Sequence, residues 1–322
     1  MTPAKTSQIE IIKPGWFTTV QDLGRYGSQQ YGVPVSGAMD RFAAIVGNRL
    51  VGNPDHAALL ECTLKGPELV FPQDTVIAIT GADLSPTIDD TTIPLWERIL
   101  VQRDSRLRFG AQRSGSRAYL AIVGGIDVPL VLGSRSTHDS SMTGGWEGRA
   151  LKSGDILPAG RPTQSIEHLR MMGKRLPDHL RPRYDQSITL RVIPSPQQEH
   201  FSESALTILT ESSYHVAPQS NRMGYRLTGP KLVRTESASY ISDGTAMGAL
   251  QVPTDGQPIL LMADRQTTGG YPNIAVVISA DLPLAAQLLP GNTIQFHPCS
   301  LTEAQTILRA RYESLDAALP PQ

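Results

Sequence analysis

Two short stretches, SGDIL at residues 153–157 and PGNTI at residues 290–294, carry the same pattern in the two halves of the chain. Each places a glycine and an acidic or amide residue at the start of a predicted strand, which is typical of a turn that leads into a strand. A second pair, DLGRYG at residues 22–27 and SNRMGYR at residues 220–226, also recurs between the halves. Chance explains either match alone, but together they favour a duplicated β-barrel unit.

The segments around these landmarks are predicted to be mostly strands. Short apolar runs bounded by Gly, Pro, Asp or Asn predict strands at residues 9–13, 75–80, 99–102, 118–123, 189–193, 259–263, 274–279 and 293–297. Apolar periodicity predicts three helices, at residues 39–50, 281–289 and about 302–315. Strands and helices do not alternate regularly, which argues against a Rossmann or TIM-barrel arrangement.

One segment, residues 160–186, is rich in Pro, Arg and His, and no strand pattern crosses it. This composition predicts a linker between domains. We therefore predict a mainly β protein with a few short helices, built from a domain at residues 1–165 and a second domain at residues 186–322. The last helix is expected to pack back on the second domain.

The composition excludes several classes of protein. The 322 residues carry a formal net charge of −1, so no basic surface for nucleic acid is indicated. No stretch approaches the roughly 20 apolar residues needed to span a bilayer, and the first residues lack the apolar core of a signal peptide. The two cysteines, Cys62 and Cys299, form no CxxC pair and are predicted to be buried free thiols. We expect a cytoplasmic protein that binds neither nucleic acid nor membranes.

Common catalytic motifs are absent from the sequence. It contains no GxxxxGK[ST] phosphate loop, no GxGxxG after a strand and no GxSxG nucleophile turn. No two of the seven histidines lie within five residues of each other, so no local pair of metal ligands is present and we expect no metal site. If the protein takes part in ATP-driven chemistry, we expect the nucleotide to bind elsewhere.

The densest group of polar residues and glycines is ADRQTTGGYP at residues 263–272, between two predicted strands. Such a loop can offer hydroxyl, amide and backbone N–H donors to an anionic or carbonyl-bearing ligand. The alternative is a hairpin turn whose side chains bond only to their own backbone. A hairpin needs two to five residues, and this loop is longer, which favours a functional role.

Two further segments are candidates. In SNRMGYR, Arg222 and Arg226 can each bind a carboxylate through two hydrogen bonds, although a surface turn with solvated arginines is equally compatible with the pattern. In DLGRYG, Asp22 either contributes to a site or only holds Arg25.

Several longer stretches resemble one known family. TTVQDLGRYG at residues 18–27 and GVPVSGAMD at residues 32–40 resemble the N-terminal signature of the allophanate hydrolase subunit 2 family, whose members are also known as the C subunit of 5-oxoprolinase, KipA-like proteins or biotin-dependent carboxyltransferases. The match continues through YLAIVGGIDVPLVLGSRST and GGWEGRALKSGD, and then through NRMGYRLTGPKL, ISDGTAMGALQVPTDGQPILL and DRQTTGGYPNIAVV. The chain departs from several relatives at Ser195, where a glycine often precedes Pro-Gln, although Gln197 matches.

This resemblance implies two cyclophilin-like β-barrels and a function in a complex. Members of the family act with a smaller KipI-like partner, the B subunit of 5-oxoprolinase, and with a lactam-utilisation-like partner, the A subunit of the same enzyme. Together they hydrolyse 5-oxo-L-proline to L-glutamate with ATP, which we expect the complex rather than this chain to bind.

Two alternatives stay open. One is the carboxyltransferase part of a urea carboxylase, where biotin would be the cofactor, and the other is a non-catalytic regulator that binds a KipI-like kinase inhibitor. The chain has no AMKM biotin-carrier motif, and it carries no fused carboxylase domain, which favours the oxoprolinase interpretation.

The candidate residues are given roles on this basis. We expect the fork of an arginine to bind a planar carboxylate, and threonine hydroxyls with the Gly-Gly amides to stabilise negative charge on the reacting carbonyl oxygen. Asp264 is expected to orient the arginine or to act as a base. The predicted catalytic residues are Asp264, Gln266, Thr267 and Thr268, and the predicted substrate-binding residues are Asn221, Arg222, Arg226, Gln251, Gly269, Gly270, Tyr271, Asp22 and Arg25.

Overall fold

A computed structural model describes residues 8–171, 174–235 and 241–322. The chain divides into two compact units. The first comprises the described residues of Met1–Tyr26, Ser36–Pro182 and Ser314–Gln322, and the second those of Gly27–Val35 and Arg183–Glu313. These units differ from the predicted ranges 1–165 and 186–322, because residues 27–35 fall in the second unit and residues 314–322 in the first. The ranges themselves remain a prediction.

The first unit is built from two sheets of antiparallel strands. In the described residues, one sheet has six strands in the order β11-β1-β4-β9-β6-β7, and the other has five in the order β2-β3-β10-β5-β8. The strands are β1 (Gln8–Lys13), β2 (Phe17–Gln21), β3 (Leu59–Thr63), β4 (Glu68–Val70), β5 (Thr75–Asp83), β6 (Pro86–Ile88), β7 (Thr91–Thr92), β8 (Arg98–Val101), β9 (Arg106–Phe109), β10 (Ser114–Ile122) and β11 (Ile156–Pro158).

Both sheets contribute to one apolar core. Ile9 and Leu107 of the first sheet and Leu60 and Leu120 of the second are fully buried in the same cluster. The opposite face of the five-stranded sheet is covered by α1 (Arg41–Leu50), whose N-cap Asp40 accepts a hydrogen bond from its first turn. The mainly β architecture is thus confirmed, with the difference that the strands of this unit form two sheets rather than one closed ladder.

In the second unit the strands close into a seven-stranded barrel, in the order β12-β19-β16-β17-β14-β13-β20. The pairing of β12 with β20 is parallel, and the other pairs are antiparallel. The elements are β12 (Ser187–Pro194), α3 (Ala205–Glu211), β13 (Ser213–Val216), β14 (Gly224–Thr228), β15 (Asp243–Gly244), β16 (Ala249–Gln251), β17 (Ile259–Leu261), β18 (Thr268–Gly269), β19 (Asn273–Val277), α4 (Leu282–Ala285), β20 (Thr293–Pro298) and α5 (Leu301–Ala318); α2 (Ile166–Met171) belongs to the first unit.

The two stretches that the sequence repeats form the same turn. Gly154 and Gly291 have φ values of 88° and 87°, in the left-handed region that favours glycine, and a Cβ at either position would meet no atom within 4 Å. The glycine is therefore required by backbone conformation and not by crowding. Each turn leads directly into a strand, β11 in the first unit and β20 in the second.

The residue after each glycine closes its turn with the side chain. Asp155 Oδ2 accepts a hydrogen bond from the backbone N–H of Lys152 at 2.7 Å, and Asn292 Oδ1 accepts one from Leu289 at 2.9 Å. Asp155 also forms a bidentate pair with Arg149 at 2.8 and 2.9 Å. The Arg149 hydrogen bonds, followed by the backbone contact, hold the pKa of Asp155 below its usual value.

The segment predicted as a linker packs against the first unit instead. Leu169 and Leu176 are fully buried, and the Arg98 guanidinium donates to the Leu169 carbonyl at 2.9 Å. The last helix is confirmed, and Ala304 packs on the apolar residues of the second unit as predicted. Its C-terminal end belongs to the first unit, because Arg49 donates to Asp316 at 2.6 Å.

None of the described helices combines the length and the apolar character that crossing a membrane would need. Cys62 and Cys299 are both free, as predicted; the expectation that both are buried holds for Cys62, whereas Cys299 is only partly buried.

Candidate functional site

The candidate site lies in the second unit, on the connection between β17 and β19. Within this connection β18 pairs with β15 to form a two-stranded ribbon outside the barrel. Thr245 holds the residues before β18 in place. Its backbone N–H donates to the Thr267 carbonyl at 3.0 Å, and its hydroxyl donates to the Gln266 carbonyl. The polar loop is therefore more than a turn between two barrel strands, since it pairs with a separate segment of the chain.

A buried amide side chain supports this ribbon from the barrel. Gln251 is 2% exposed and donates from Nε2 to the Tyr271 carbonyl at 3.3 Å. Gly269 packs so closely on it that a Cβ would lie 2.1 Å from Gln251 Nε2. Gly270 and Tyr271 are exposed at the end of the ribbon. The structure therefore brings together three predicted residues, Gln251, Gly269 and Tyr271.

Gln197 and Asn273 add two more amide side chains to this region. Gln197 Oε1 accepts the backbone N–H of Asn273 at 2.8 Å, and its Nε2 is 3.5 Å from Asp243 Oδ2. Asp243 is exposed and belongs to the ribbon strand β15. The site thus combines three amides, one carboxylate and the threonine hydroxyls of the ribbon.

Arg222 and Asp264 form a buried ion pair beside the start of the ribbon loop. Arg222 Nε and Nη2 lie 2.8 and 3.0 Å from the two carboxylate oxygens of Asp264, and both side chains are 9% exposed. This bidentate contact uses the edge of the guanidinium that was expected to bind a substrate carboxylate. Of the two roles considered for Asp264, the geometry supports orientation of the arginine, because both carboxylate oxygens accept hydrogen bonds from the Arg222 guanidinium.

The other two candidate residues of SNRMGYR are Asn221 and Arg226, and both are exposed. Asn221 is exposed, and its Oδ1 accepts the Met223 backbone N–H at 2.8 Å, which is a turn contact. Arg226 is exposed on β14, whereas its neighbours Tyr225 and Leu227 are buried in the barrel. Its side chain therefore faces outward, as the alternation along a barrel strand requires.

Asp22 and Arg25 lie in the first unit and form a separate polar cluster. The Asp22 carboxylate accepts the Ser134 hydroxyl at 2.7 Å and the Arg135 backbone N–H at 2.6 Å. Arg25 is 1% exposed and donates to the Val131 carbonyl at 2.9 Å. Both side chains tie loops of the first unit together in this way, which is a positioning role.

The geometry suits a ligand that carries an amide group. Amides and hydroxyls supply both donors and acceptors, whereas the buried charges of Arg222 and Asp264 compensate each other. In the part of the chain that the structure describes, no group of three or more His, Cys, Asp or Glu side chains is placed to hold a metal ion.

Comparison with known proteins identifies the family. A family model described as "Carboxyltransferase domain, subdomain A and B" matches residues 31–298. The chain belongs to this carboxyltransferase-domain family. It is similar to the C subunit of 5-oxoprolinase from Escherichia coli K12, with 40% identity over 95% of this chain and 94% of that protein. The corresponding C subunit from Haemophilus influenzae is 36% identical over 96% of both chains.

A solved structure of the same family confirms the fold. The urea amidolyase of K. lactis superposes with a TM-score of 0.89 and 35% identity, covering 98% of this chain and 20% of that one. The fold of this chain thus recurs as one part of a much longer protein.

Sequence reasoning did not assign three polar residues to the candidate site, namely Asn273, Asp243 and Gln197. The local pattern marks Asn273 only as the boundary of a strand, and it does not single out Asp243, although the SDG triplet of Asp243 stands in a stretch that matches the carboxyltransferase-domain family. Gln197 matches the family pattern, but the pattern assigns no role to it. All three belong to the site through pairing between distant segments, which no local pattern records.

Proposed function

We propose that this chain is a subunit of an ATP-dependent 5-oxoprolinase that hydrolyses 5-oxo-L-proline to L-glutamate, a reaction that opens a cyclic C–N amide bond. It would act in the cytoplasm with a KipI-like partner and a lactam-utilisation-like partner. The observation that carries the proposal is the similarity to the E. coli C subunit of 5-oxoprolinase, which extends over 95% of this chain and 94% of that relative.

The ribbon supplies the groups that the reaction needs around the lactam. Negative charge develops on the ring carbonyl oxygen when it is attacked, and donors placed in advance around that oxygen stabilise it. In the proposal these donors are the hydroxyls of Thr267 and Thr268 with the backbone amides around Gly269. Gln251 holds the ribbon in position through its contact with the Tyr271 carbonyl.

ATP is assigned to the complex rather than to this chain alone. The sequence has no phosphate-binding glycine loop, so the phosphates would be held by a partner protein. In this division of labour the present chain binds and orients the lactam. Its activity is then expected only in the assembled complex.

The second candidate is a carboxyltransferase subunit of a biotin-dependent urea carboxylase. The family model and the TM-score of 0.89 with urea amidolyase favour it. Identity is 40% with the C subunit of E. coli 5-oxoprolinase and 35% with the urea amidolyase. The oxoprolinase therefore stays the first choice, with biotin as a cofactor only in the second.

The test is co-expression with the two predicted partners. Glutamate formation from 5-oxoproline is measured with and without ATP, and with and without this chain. We expect turnover that depends on both. Turnover without this chain would leave it a regulatory role, and carboxylation of urea by a biotin-dependent complex would favour the second candidate.

The location of the site within the complex is tested by two variants. If Arg222→Lys and Thr267→Val both retain full turnover in the assembled complex, the site would instead be sought at the Asp22–Arg25 loop of the first unit.

A further inference from the structure

The pairing of β16 with β19 is irregular beside the ribbon. Leu250 lies opposite Ala275, whereas the next residue, Gln251, lies opposite Asn273, so the register shifts between the two pairs. Such bulges redirect side chains and are frequent next to functional sites. Here the shift places two amide side chains opposite each other.

The side-chain oxygen of Asn273 has an unusual environment. Oδ1 is buried and has no hydrogen-bond partner among the described residues. A buried polar atom in this state is costly, because it has lost its hydrogen bonds to water without a replacement. Native proteins rarely keep such a group, and one that persists is explained by strain, by a catalytic role, or by a bound water or ion.

Other amides nearby already have partners. Gln197 Oε1 accepts the Asn273 backbone N–H, and Gln251 Nε2 donates to the Tyr271 carbonyl. The Asn273 oxygen is therefore a buried acceptor that this amide group leaves for a donor from outside. Because this oxygen only accepts hydrogen bonds, the complementary ligand group is a donor, N–H or O–H, and not a carbonyl or a carboxylate. In ionised 5-oxoproline the ring N–H is the only such donor.

We propose that Asn273 Oδ1 accepts the ring N–H of the lactam and so selects an amide over an ester substrate. This inference rests on the proposed function, and it names the residue that recognises the scissile bond. The proposal requires the exposed Gly270–Tyr271 end of the ribbon to shift when the substrate binds, so that the buried oxygen becomes accessible. The hydrogen bond from Gln251 to the Tyr271 carbonyl, which holds this end, is 3.3 Å long.

The test compares 5-oxoproline with its lactone analogue, in which a ring oxygen replaces the N–H. With the three-component complex, KM and kcat are measured for 5-oxoproline, and the lactone is titrated as a competitive inhibitor. We expect the wild-type complex to bind the lactam about tenfold or more tightly than the lactone, since one hydrogen bond to a buried acceptor is at stake.

Asn273→Ala is the decisive variant. It should raise KM for 5-oxoproline about tenfold while changing lactone inhibition less than about twofold. It should fold, because it removes an oxygen that lacks a partner among the described residues of the free protein. Asn273→Asp keeps an acceptor oxygen at the same place and should retain the lactam preference.

Thr63→Val serves as the control, because it also removes a buried oxygen without a partner among the described residues, in the first unit. It should leave both constants unchanged. Equal weakening of both ligands by Asn273→Ala, an unchanged lactam preference, or loss of that preference in Asn273→Asp would each overturn the proposal. If the wild-type complex forms no glutamate, the proposed function itself fails, which is a different result.

Discussion

Replacement of Gly269 by alanine tests whether the ribbon and the buried amide form one functional unit. The added Cβ would lie 2.1 Å from Gln251 Nε2 and 3.1 Å from Thr245 Cγ2. The backbone itself tolerates alanine, because Gly269 is not among the residues with positive φ. The effect of the substitution therefore comes from steric contacts, chiefly the collision with Gln251 and to a smaller extent the tight approach to Thr245.

The size of the effect follows from these distances. Ordinary contacts begin near 3.4 Å, so the Gln251 amide must retreat by about 1.3 Å. Its hydrogen bond to the Tyr271 carbonyl is already 3.3 Å long and would break. Loss of that bond costs about 1 kcal/mol, and overpacking of a buried site adds about 1–3 kcal/mol. We expect Gly269→Ala to destabilise the protein by about 2–4 kcal/mol.

Gly270→Ala is the matched control, because the nearest atom to its added Cβ is Ser242 Oγ at 3.8 Å. Urea unfolding of both variants measures stability, and glutamate formation by the assembled complex measures function. The double variant Gly269→Ala/Gln251→Ser should recover stability, since the shorter side chain removes the collision, but not turnover. Equal stability and turnover in Gly269→Ala and Gly270→Ala would refute the reasoning.

Three further outcomes are expected. Asp155→Asn should lower the free energy of unfolding by about 2 kcal/mol at neutral pH. Because the pKa of Asp155 is lowered in the folded state, the Arg149 contact stabilises the fold fully above the ordinary carboxyl pKa of about 3.9 and loses this effect as the pH falls below it. The difference in unfolding free energy between variant and wild type should therefore be smaller at pH 3. Arg222→Lys should lower kcat/KM about tenfold or more, because an ammonium cannot replace the bidentate contact with Asp264. Replacing either member of the pair by alanine should lower the free energy of unfolding by about 3–5 kcal/mol, and the double variant should cost much less than the sum of the two. Additive costs in the double-mutant cycle would contradict the pairing. Thr267→Val should lower kcat while the melting temperature stays constant, and an unchanged kcat would remove its hydroxyl from the proposed mechanism.

The turns and most strands were predictable because their causes are local. Gly154 and Gly291 mark the two repeated turns, since the left-handed conformation excludes most other residues. All eight predicted strands are confirmed, and the first and last of the predicted helices were located within a few residues. The polar loop at residues 263–272 was also singled out from local sequence, because a hairpin does not need so many polar residues, and its role as the site stays a prediction.

Tertiary structure decided how these elements are combined. The sequence pattern did not show that β18 pairs with β15, that the segment predicted as a linker packs on the first unit, or that the strands there form two sheets. Each depends on pairing between segments whose local patterns are compatible with several partners.

The roles of the candidate residues were decided at the same level. The sequence by itself determined that Arg222, Asp264 and Gln251 belong to a polar region of the second half. Only the structure showed that the first two neutralise each other across 42 positions of the chain, and that Gln197 meets Asn273 across 76. Charge compensation and hydrogen-bond satisfaction are properties of side chains that fold together, so a buried acceptor without a partner becomes visible only when every neighbour is in place.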